Sequence, residues 1–403
     1  MILFKKKLLL LIIVERSILK FDRSKSHSKI KETNRKKIIA LLLKKNEITK
    51  LDISRLLDIS ITTVSTNITE LKSEGIVEDV RSLESTGGRK AIAIKLNENC
   101  RYSIGVALTP NHIKISLVNI KKNVIESMRV RHNNDGIENI VNLLNENIDL
   151  LMKKYNLCSA NLLGIGISLP GTVDFKEGII KYSYLLGAKD FNLKEKFEYL
   201  DIPVYVDNEA NLSAYYEFLN KRDILRNLLY VSITEGLGLG IIINGKIYRG
   251  DNNSSGELGH TKIAIDGKKC KCGARGCLEA YASMNSLIDD YNEANSSNIS
   301  DIDEFEERYN QNDKDAHDVL NDYLKTLSLG LSNLVMIFDP SSIVIGGDIN
   351  NLLNDKIDML KKDVYKDNLF TNENNCSISI ASFKESYLLG AAMMPIEEFL
   401  EIK

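Results

Sequence analysis

Three cysteines, Cys270, Cys272 and Cys277, fall within eight residues, and His260 stands ten residues before the first of them. Three thiolates and one imidazole are the donors of a closed tetrahedral zinc site, because Zn2+ favours four soft or borderline sulfur and nitrogen ligands. Gly273 and Gly276 allow the tight bends that would let three sulfurs converge on one ion. The competing reading is a set of buried or disulfide-linked thiols beside an unrelated histidine. Crowded cysteines in a cytoplasmic chain point instead to metal or redox use. Glu257 lies three residues before His260 and Glu279 two residues after Cys277, so a metal-pinned loop would present two carboxylates beside an imidazole. Such acceptors suit the hydroxyls of a polyol, and a rigid loop loses little entropy on binding it.

The elements that hold this loop belong to a chain of 403 residues, long enough for two or three domains. A net charge of −2 with 43% hydrophobic residues describes an ordinary globular protein, but the charge is unevenly placed. Residues 1–100 carry 21 Lys/Arg against 12 Asp/Glu, and the remainder carries 32 against 43. A basic head on an acidic body implies that one end meets a polyanion. Lys5-Lys6-Lys7 and the apolar run Leu8–Val14 resemble parts of a secretion signal, yet seven apolar residues cannot span a bilayer and no small-residue cleavage site follows. Residues 1–30 are read as an extension, disordered or from a mis-assigned start, and no membrane partner is expected.

Residues 31–96 have the rhythm of a winged helix-turn-helix. Ile38, Ile39, Leu42 and Leu43 form a helical apolar stripe from Asn34 to Lys45. Thr49 with Asp52 resembles a capping box for a second helix burying Ile53, Leu56 and Leu57. Ser60 can cap a third helix from Ile61 to Glu74, ended by Gly75. In that third helix Val64, Ile68 and Leu71 should face the core, leaving Thr62, Thr63, Ser65, Thr66, Asn67 and Lys72 for a DNA major groove. Asn67 would read adenine, and the threonine methyls would touch thymine. Strands Ile76–Val80 and Ala91–Leu96 flank a wing tip whose Arg89 and Lys90 would reach phosphates or the minor groove. The alternative is a small helical protein-interaction module.

From Tyr102 three strand-like runs follow one another, then an amphipathic helix (Ile137–Tyr155), a buried strand (Leu162–Leu169), the loop Pro170–Asp174, and a short strand ending at Asp207-Asn208-Glu209-Ala210-Asn211. This is the opening of an actin-like, ribonuclease-H-like lobe. The fold class is therefore α/β: an N-terminal winged helix-turn-helix at 31–96 and a two-lobed domain over 100–403. Lobe 1 covers about 100–220 plus the C-terminal tail, and lobe 2 about 221–385 with a long helix at Ala316–Phe338.

Gly-Glu-x-Gly-His followed by Cys-x-Cys-Gly-x-x-Gly-Cys-x-Glu resembles the signature of the ROK family of repressors and sugar kinases, and is most similar to its xylose-repressor branch. Pro170-Gly171-Thr172-Val173-Asp174 resembles the loop that borders the sugar in that family, and Gly87-Gly88-Arg89 its repressors' wing. The resemblance implies a sugar site of Asn208, Glu209, Glu257, His260 and Glu279, with structural Zn2+ on His260, Cys270, Cys272 and Cys277. Glu209 stands at the family's catalytic base, which is Asp, and Leu278 stands where the xylose-repressor branch carries Trp.

The family's first phosphate loop, Asp-x-Gly-Gly-Thr, corresponds here to Ala107-Leu108-Thr109-Pro110-Asn111. The acid that would position Mg2+ is gone, both glycines are gone, and Pro110 removes a backbone donor. Phosphoryl transfer depends on positioning and electrostatics, so no enzyme activity and no catalytic residue are expected. Thr234–Gly240 retains the second loop's glycines, which a strand turn explains as well. The expected function is a sugar-responsive transcriptional repressor: a homodimer or higher homo-oligomer, cytoplasmic, bound to operator DNA and modulated by a monosaccharide such as xylose. The rivals are an ATP-dependent sugar kinase with a fused DNA-binding domain, and a sensor of phosphosugars or a protein partner.

Overall fold

The computed structural model describes residues 29–80, 92–222, 224–366 and 369–401. The Leu8–Val14 run and the wing residues Arg89 and Lys90 lie outside the described residues.

Residues 29–44 form helix α1, whose Ile38, Ile39 and Leu42 are fully buried. A short strand β1 (Ile48–Thr49) leads into α2 (Lys50–Leu57), where Thr49 accepts a hydrogen bond from the Asp52 amide at 3.2 Å. The cap is not a reciprocal box: the Thr49 hydroxyl donates to the Asp52 carboxylate at 2.7 Å. Asp58 ends α2 in the left-handed region, and Ser60 caps α3 (Ile61–Ser73) by accepting from the Thr63 amide at 3.1 Å. Gly75, at φ +70°, turns the chain into β2 (Val77–Val80), which pairs with β3 (Ala93–Leu96) in a three-stranded sheet ordered β1-β3-β2. Leu56, expected in the core, is 60% exposed: α2 buries only Ile53, and a helix of eight residues presents too narrow a stripe for both.

This head is one compact unit with residues from elsewhere in the chain, 119–123 and 396–403. Ile120 is fully buried in its core, and Phe399 and Leu400 pack against it. The expected boundary at residue 96 therefore leaves out two segments that the core includes.

The second unit, 103–118 with 124–395, holds both lobes. Strands β4 (Tyr102–Leu108), β5 (His112–Asn119) and β6 (Val124–Arg131) precede α4 (Ile137–Tyr155) and β7 (Leu162–Leu169). A small antiparallel sheet follows, made of β8 (Thr172–Asp174), β9 (Ile179–Ser183) and β10 (Ala188–Asn192). Strand β11 (Val204–Asn208) returns parallel to β7, giving the order β11-β7-β4-β5-β6, and runs straight into α5 (Glu209–Lys221).

Lobe 2 repeats the plan with β12 (Leu228–Ile233), β13 (Leu237–Ile243), β14 (Lys246–Ile247), β15 (Ser342–Gly347) and β16 (Ser377–Ile380), ordered β14-β13-β12-β15-β16. Its faces carry α6 (Glu279–Ala282), α7 (Met284–Asn295), α8 (Ile302–Asn310), α9 (Lys314–Phe338), α10 (Asn350–Asn354) and α11 (Ile357–Tyr365). Helix α12 (Ser386–Leu400) returns to lobe 1, where the Ser103 hydroxyl donates to the Ala392 carbonyl at 2.7 Å. A side chain at Gly166 would fall 1.9 Å from the Ala391 carbonyl, so only glycine lets this helix lie against the sheet. Among the described residues no helix is long and apolar enough to cross a membrane.

Candidate functional site

On the head, Thr62 and Thr66 are exposed on one face of α3, while Thr63, Ser65 and Lys72 are half-buried. Lys72 is held by Asp79, and Ser65 accepts from Lys50 at 3.2 Å. Asn67 departs from expectation. It is 2% exposed, and its amide donates back to the Thr63 carbonyl at 2.8 Å. Three residues after Val64 and four before Leu71, it sits on the flank of the core stripe, so it cannot reach a base edge from this position. Thr66→Ala is therefore the substitution expected to reduce operator discrimination, by about 1–3 kcal/mol if its side chain reads a base. A uniform loss over all sequences in a gel-shift series would assign it to phosphate contact instead.

The donor atoms of His260, Cys270, Cys272 and Cys277 lie within 4.8 Å of one another. Two sulfurs, those of Cys272 and Cys277, are 3.7 Å apart, and Cys270 Sγ is 3.8 Å from His260 Nδ1. Zn–S bonds of about 2.3 Å in a tetrahedron put the sulfurs about 3.8 Å apart. The four side chains thus fit one tetrahedral ion in donor type and spacing. The positive φ of Gly273 and Gly276, +89° and +72°, makes the bends that bring the sulfurs together. Lys262 completes the cluster by donating to Cys277 Sγ at 2.8 Å. Its cation offsets the negative charge that three thiolates leave on a divalent ion.

Around this loop lie the carboxylates. Gly256, at φ +88°, passes 2.0 Å from the Leu239 carbonyl as measured to an added Cβ, and delivers Glu257 and the turn Leu258–His260. Glu257 accepts a hydrogen bond from Thr172 of β8, and burial followed by the nearby Glu279 holds its carboxyl above the usual range despite the opposing His260. Glu257 and His260 keep solvent access, as ligand-facing groups must. Glu279 is fixed by the Leu237 amide at 3.1 Å on Oε2, and Cys270 Sγ lies 3.8 Å from its Oε1.

Glu209 is the first residue of α5. Its Oε1 accepts from Thr234 at 3.3 Å and from Ser232 at 3.5 Å. Burial, reinforced by Asp348, pushes its carboxyl up to about 7. The Asn208 amide is already committed: its oxygen caps α5 at the Ala210 and Asn211 amides, and its nitrogen donates to the Gly171 carbonyl at 2.9 Å. One amide hydrogen remains for a ligand. Leu278 is fully buried over Gly330 of α9, within the lobe 2 core.

At the first phosphate-loop position, Thr109–Asn111 closes a tight turn. The Thr109 amide donates to the His112 carbonyl at 2.9 Å, and the Thr109 hydroxyl accepts from the His112 amide at 3.2 Å. Buried His132 places its Nε2 2.9 Å from the Thr109 carbonyl, and its amide donates to the Asn111 carbonyl. In the second glycine-rich stretch the glycines serve packing, since a Cβ at Gly240 would fall 2.0 Å from the Ala210 carbonyl of α5.

Lys262 and the pair Asp207–Arg249 were not singled out in the sequence, and Thr172 only as part of the loop Pro170–Asp174. Lys262 meets Cys277 through an isolated β-bridge, and Arg249 meets Asp207 across 42 positions. Neither contact leaves a mark in the local sequence pattern.

A model of the ROK family matches residues 103–398, and a winged helix-turn-helix DNA-binding model matches residues 31–78. A putative xylose repressor of Caldicellulosiruptor sp. is 31% identical over 93% of this chain and 98% of its own. A xylose repressor of Bacillus spizizenii is 28% identical over 93% and 97%. The crystal structure of a ROK family transcriptional regulator, described as a homologue of the E. coli MLC protein, superposes with a TM-score of 0.78 at 23% identity, covering 92% of this chain and 97% of that one.

Proposed function

Because the chain belongs to the ROK family and carries a winged helix-turn-helix head, we propose that it is a sugar-responsive transcriptional repressor. The head binds operator DNA, and a two-fold dimer reads a palindrome, since half-sites related by a dyad match a protein with the same symmetry. The protein acts in the cytoplasm. A monosaccharide occupies the cleft and is hydrogen-bonded by Glu209, Glu257, His260, Glu279 and the remaining Asn208 amide hydrogen. D-xylose is favoured because the relatives matched over nearly the whole chain are named for it. Leu278, buried in lobe 2, does not argue against that sugar.

Zn2+ held by His260, Cys270, Cys272 and Cys277 supplies rigidity, not chemistry. It cross-links the loop between Glu257 and Glu279, so that both carboxylates are set before the sugar arrives. The sugar shifts the repressor only through the difference in its affinity for the two lobe arrangements.

The observation that carries the reading is the contrast between the two halves of the cleft. Carboxylates and an imidazole converge on the polyol side. At the position of the first phosphate loop, Thr109 turns its amide and hydroxyl onto His112, which supports a cleft without a nucleotide. ATP turnover with a panel of aldoses tests this directly: product formation lost on Glu209→Gln would establish the kinase. An operator gel-shift indifferent to every free sugar would favour a phosphosugar or protein-partner sensor.

Glu279→Gln should leave operator affinity intact while raising the D-xylose concentration for half-release by about 10-fold to 100-fold, equivalent to losing a charge-assisted hydrogen bond of roughly 1.5–3 kcal/mol. Release at the wild-type concentration would remove Glu279 from the site.

A further inference from the structure

Arg249 lies outside the proposed sugar and zinc ligands, yet from lobe 2 it contacts Asp207 and Phe175 of lobe 1. Its guanidinium donates twice to Asp207 Oδ2, from Nε at 3.1 Å and from Nη2 at 2.5 Å. Its flat face covers the Phe175 ring, with the guanidinium carbon 3.8 Å from the centroid. Asp207 is 2% exposed, and its other oxygen accepts from the Asn208 amide at 2.8 Å and from Asn211 Nδ2 at 3.0 Å. One oxygen of a buried carboxylate is thus held by Arg249, and the other is directed at the start of α5 that presents Asn208 and Glu209.

On the other side, Arg249 opens a tight loop. The Ser255 amide donates to the Arg249 carbonyl at 3.1 Å, and the Ser255 hydroxyl to the Tyr248 carbonyl at 2.7 Å. The next residues are Gly256 and Glu257. Phe175 continues the β8 loop whose Thr172 hydrogen-bonds Glu257 and whose Gly171 holds Asn208.

We infer that Arg249 is a positioning residue of the sugar site: its paired hydrogen bonds to Asp207 and its stack on Phe175 tie the lobe 2 loop bearing Glu257 to the lobe 1 turn bearing Asn208 and Glu209. Arginine is required because only a planar fork satisfies one carboxylate twice while stacking on a ring. The inference rests on the sugar-binding reading for its consequence, not for its geometry.

Arg249→Gln strands the buried Asp207 charge, so it is paired with Asp207→Asn/Arg249→Gln, which leaves no lone charge, and with Arg249→Lys and Phe175→Leu. Titration calorimetry with D-xylose should show affinity reduced by on the order of 10-fold to 100-fold in the double variant, the range by which groups orienting a binding residue act. Phe175→Leu and Arg249→Lys should show smaller losses in the same direction, with zinc content and operator affinity at wild-type values. Backbone amide exchange without sugar should quicken at 171–175 and 250–257 and stay unchanged in β12 and β15. Wild-type exchange in those two loops would overturn the inference. So would a loss of zinc, operator binding and sugar affinity together that Arg249→Lys does not relieve. If the wild type binds no D-xylose, the choice of sugar fails, and the exchange arm still decides the role of Arg249.

Discussion

Cys272→Ser should purify with far less than one zinc per chain and should no longer release its operator at any D-xylose concentration. The substitution is aimed at the exposed cysteine among the four donors, whereas Cys270 and Cys277 are buried. Replacing a surface thiol by a hydroxyl leaves the packing of lobe 2 untouched, so the measured loss belongs to the metal. Structural zinc contributes apparent binding free energies of about 10–16 kcal/mol in small metal-folded domains, and a site reduced to three donors gives up much of that. The loop between Glu257 and Glu279 then regains its freedom, and the sugar must order it on binding. Operator affinity in the absence of sugar should persist, because the head's core shares no residue with the loop. Elemental analysis beside a gel-shift titration measures both. Normal zinc content in the variant would dismiss the four-donor site, and full induction without zinc would dismiss its role.

Glu209→Gln should be more heat-stable than the wild type at pH 8.5, with the advantage fading toward pH 4. The native carboxyl titrates at about 7, whereas an unfolded glutamate titrates near 4.3. The native state therefore holds a proton that the unfolded chain has released, and native stability falls as pH rises between those values. Below the unfolded value the effect is absent. Above the native value the wild type carries the full cost of a desolvated charge, up to about 4 kcal/mol at 1.36 kcal/mol per pH unit. Glutamine keeps an acceptor for Thr234 and Ser232 and never ionises. Glu257 is raised in the same direction, but it is common to both proteins and cancels in their difference. Melting temperatures of both proteins across pH 4–9 decide the matter. A gap constant with pH would mean that Glu209 is ionised throughout.

Much of the fold was legible because its signals are local. Helix Ile137–Tyr155 and strand Leu162–Leu169 were bounded correctly from apolar periodicity and a buried run. The caps at Thr49 and Ser60 follow from side chains next to the amides they satisfy. The metal loop was legible for the same reason, since its donors are near neighbours in the chain.

The failures share another cause. Leu56 and Asn67 were assigned by spacing along one helix, but what a helix buries depends on how its partners cross it, which no single helix records. Asn67 is buried beside Val64 and Leu71 in the packed head, and Leu56 is left outside. Lys262 and Arg249 act on residues brought near by sheet order, and a lone cation in a sequence carries no mark of the anion that it will meet. Ile120, Phe399 and Leu400 lie in sequence within the sugar domain and pack in the head's core, because contact between distant segments leaves no periodicity.

That last arrangement bears on how the protein can be handled. Since Phe399 and Leu400 pack against the core of the DNA-reading module, a fragment stopped at residue 96 would carry a hole where these two side chains belong. The same holds for a protein cut before Phe399. Loss of promoter binding after such clipping would report a damaged reading head in a molecule that still takes up its sugar.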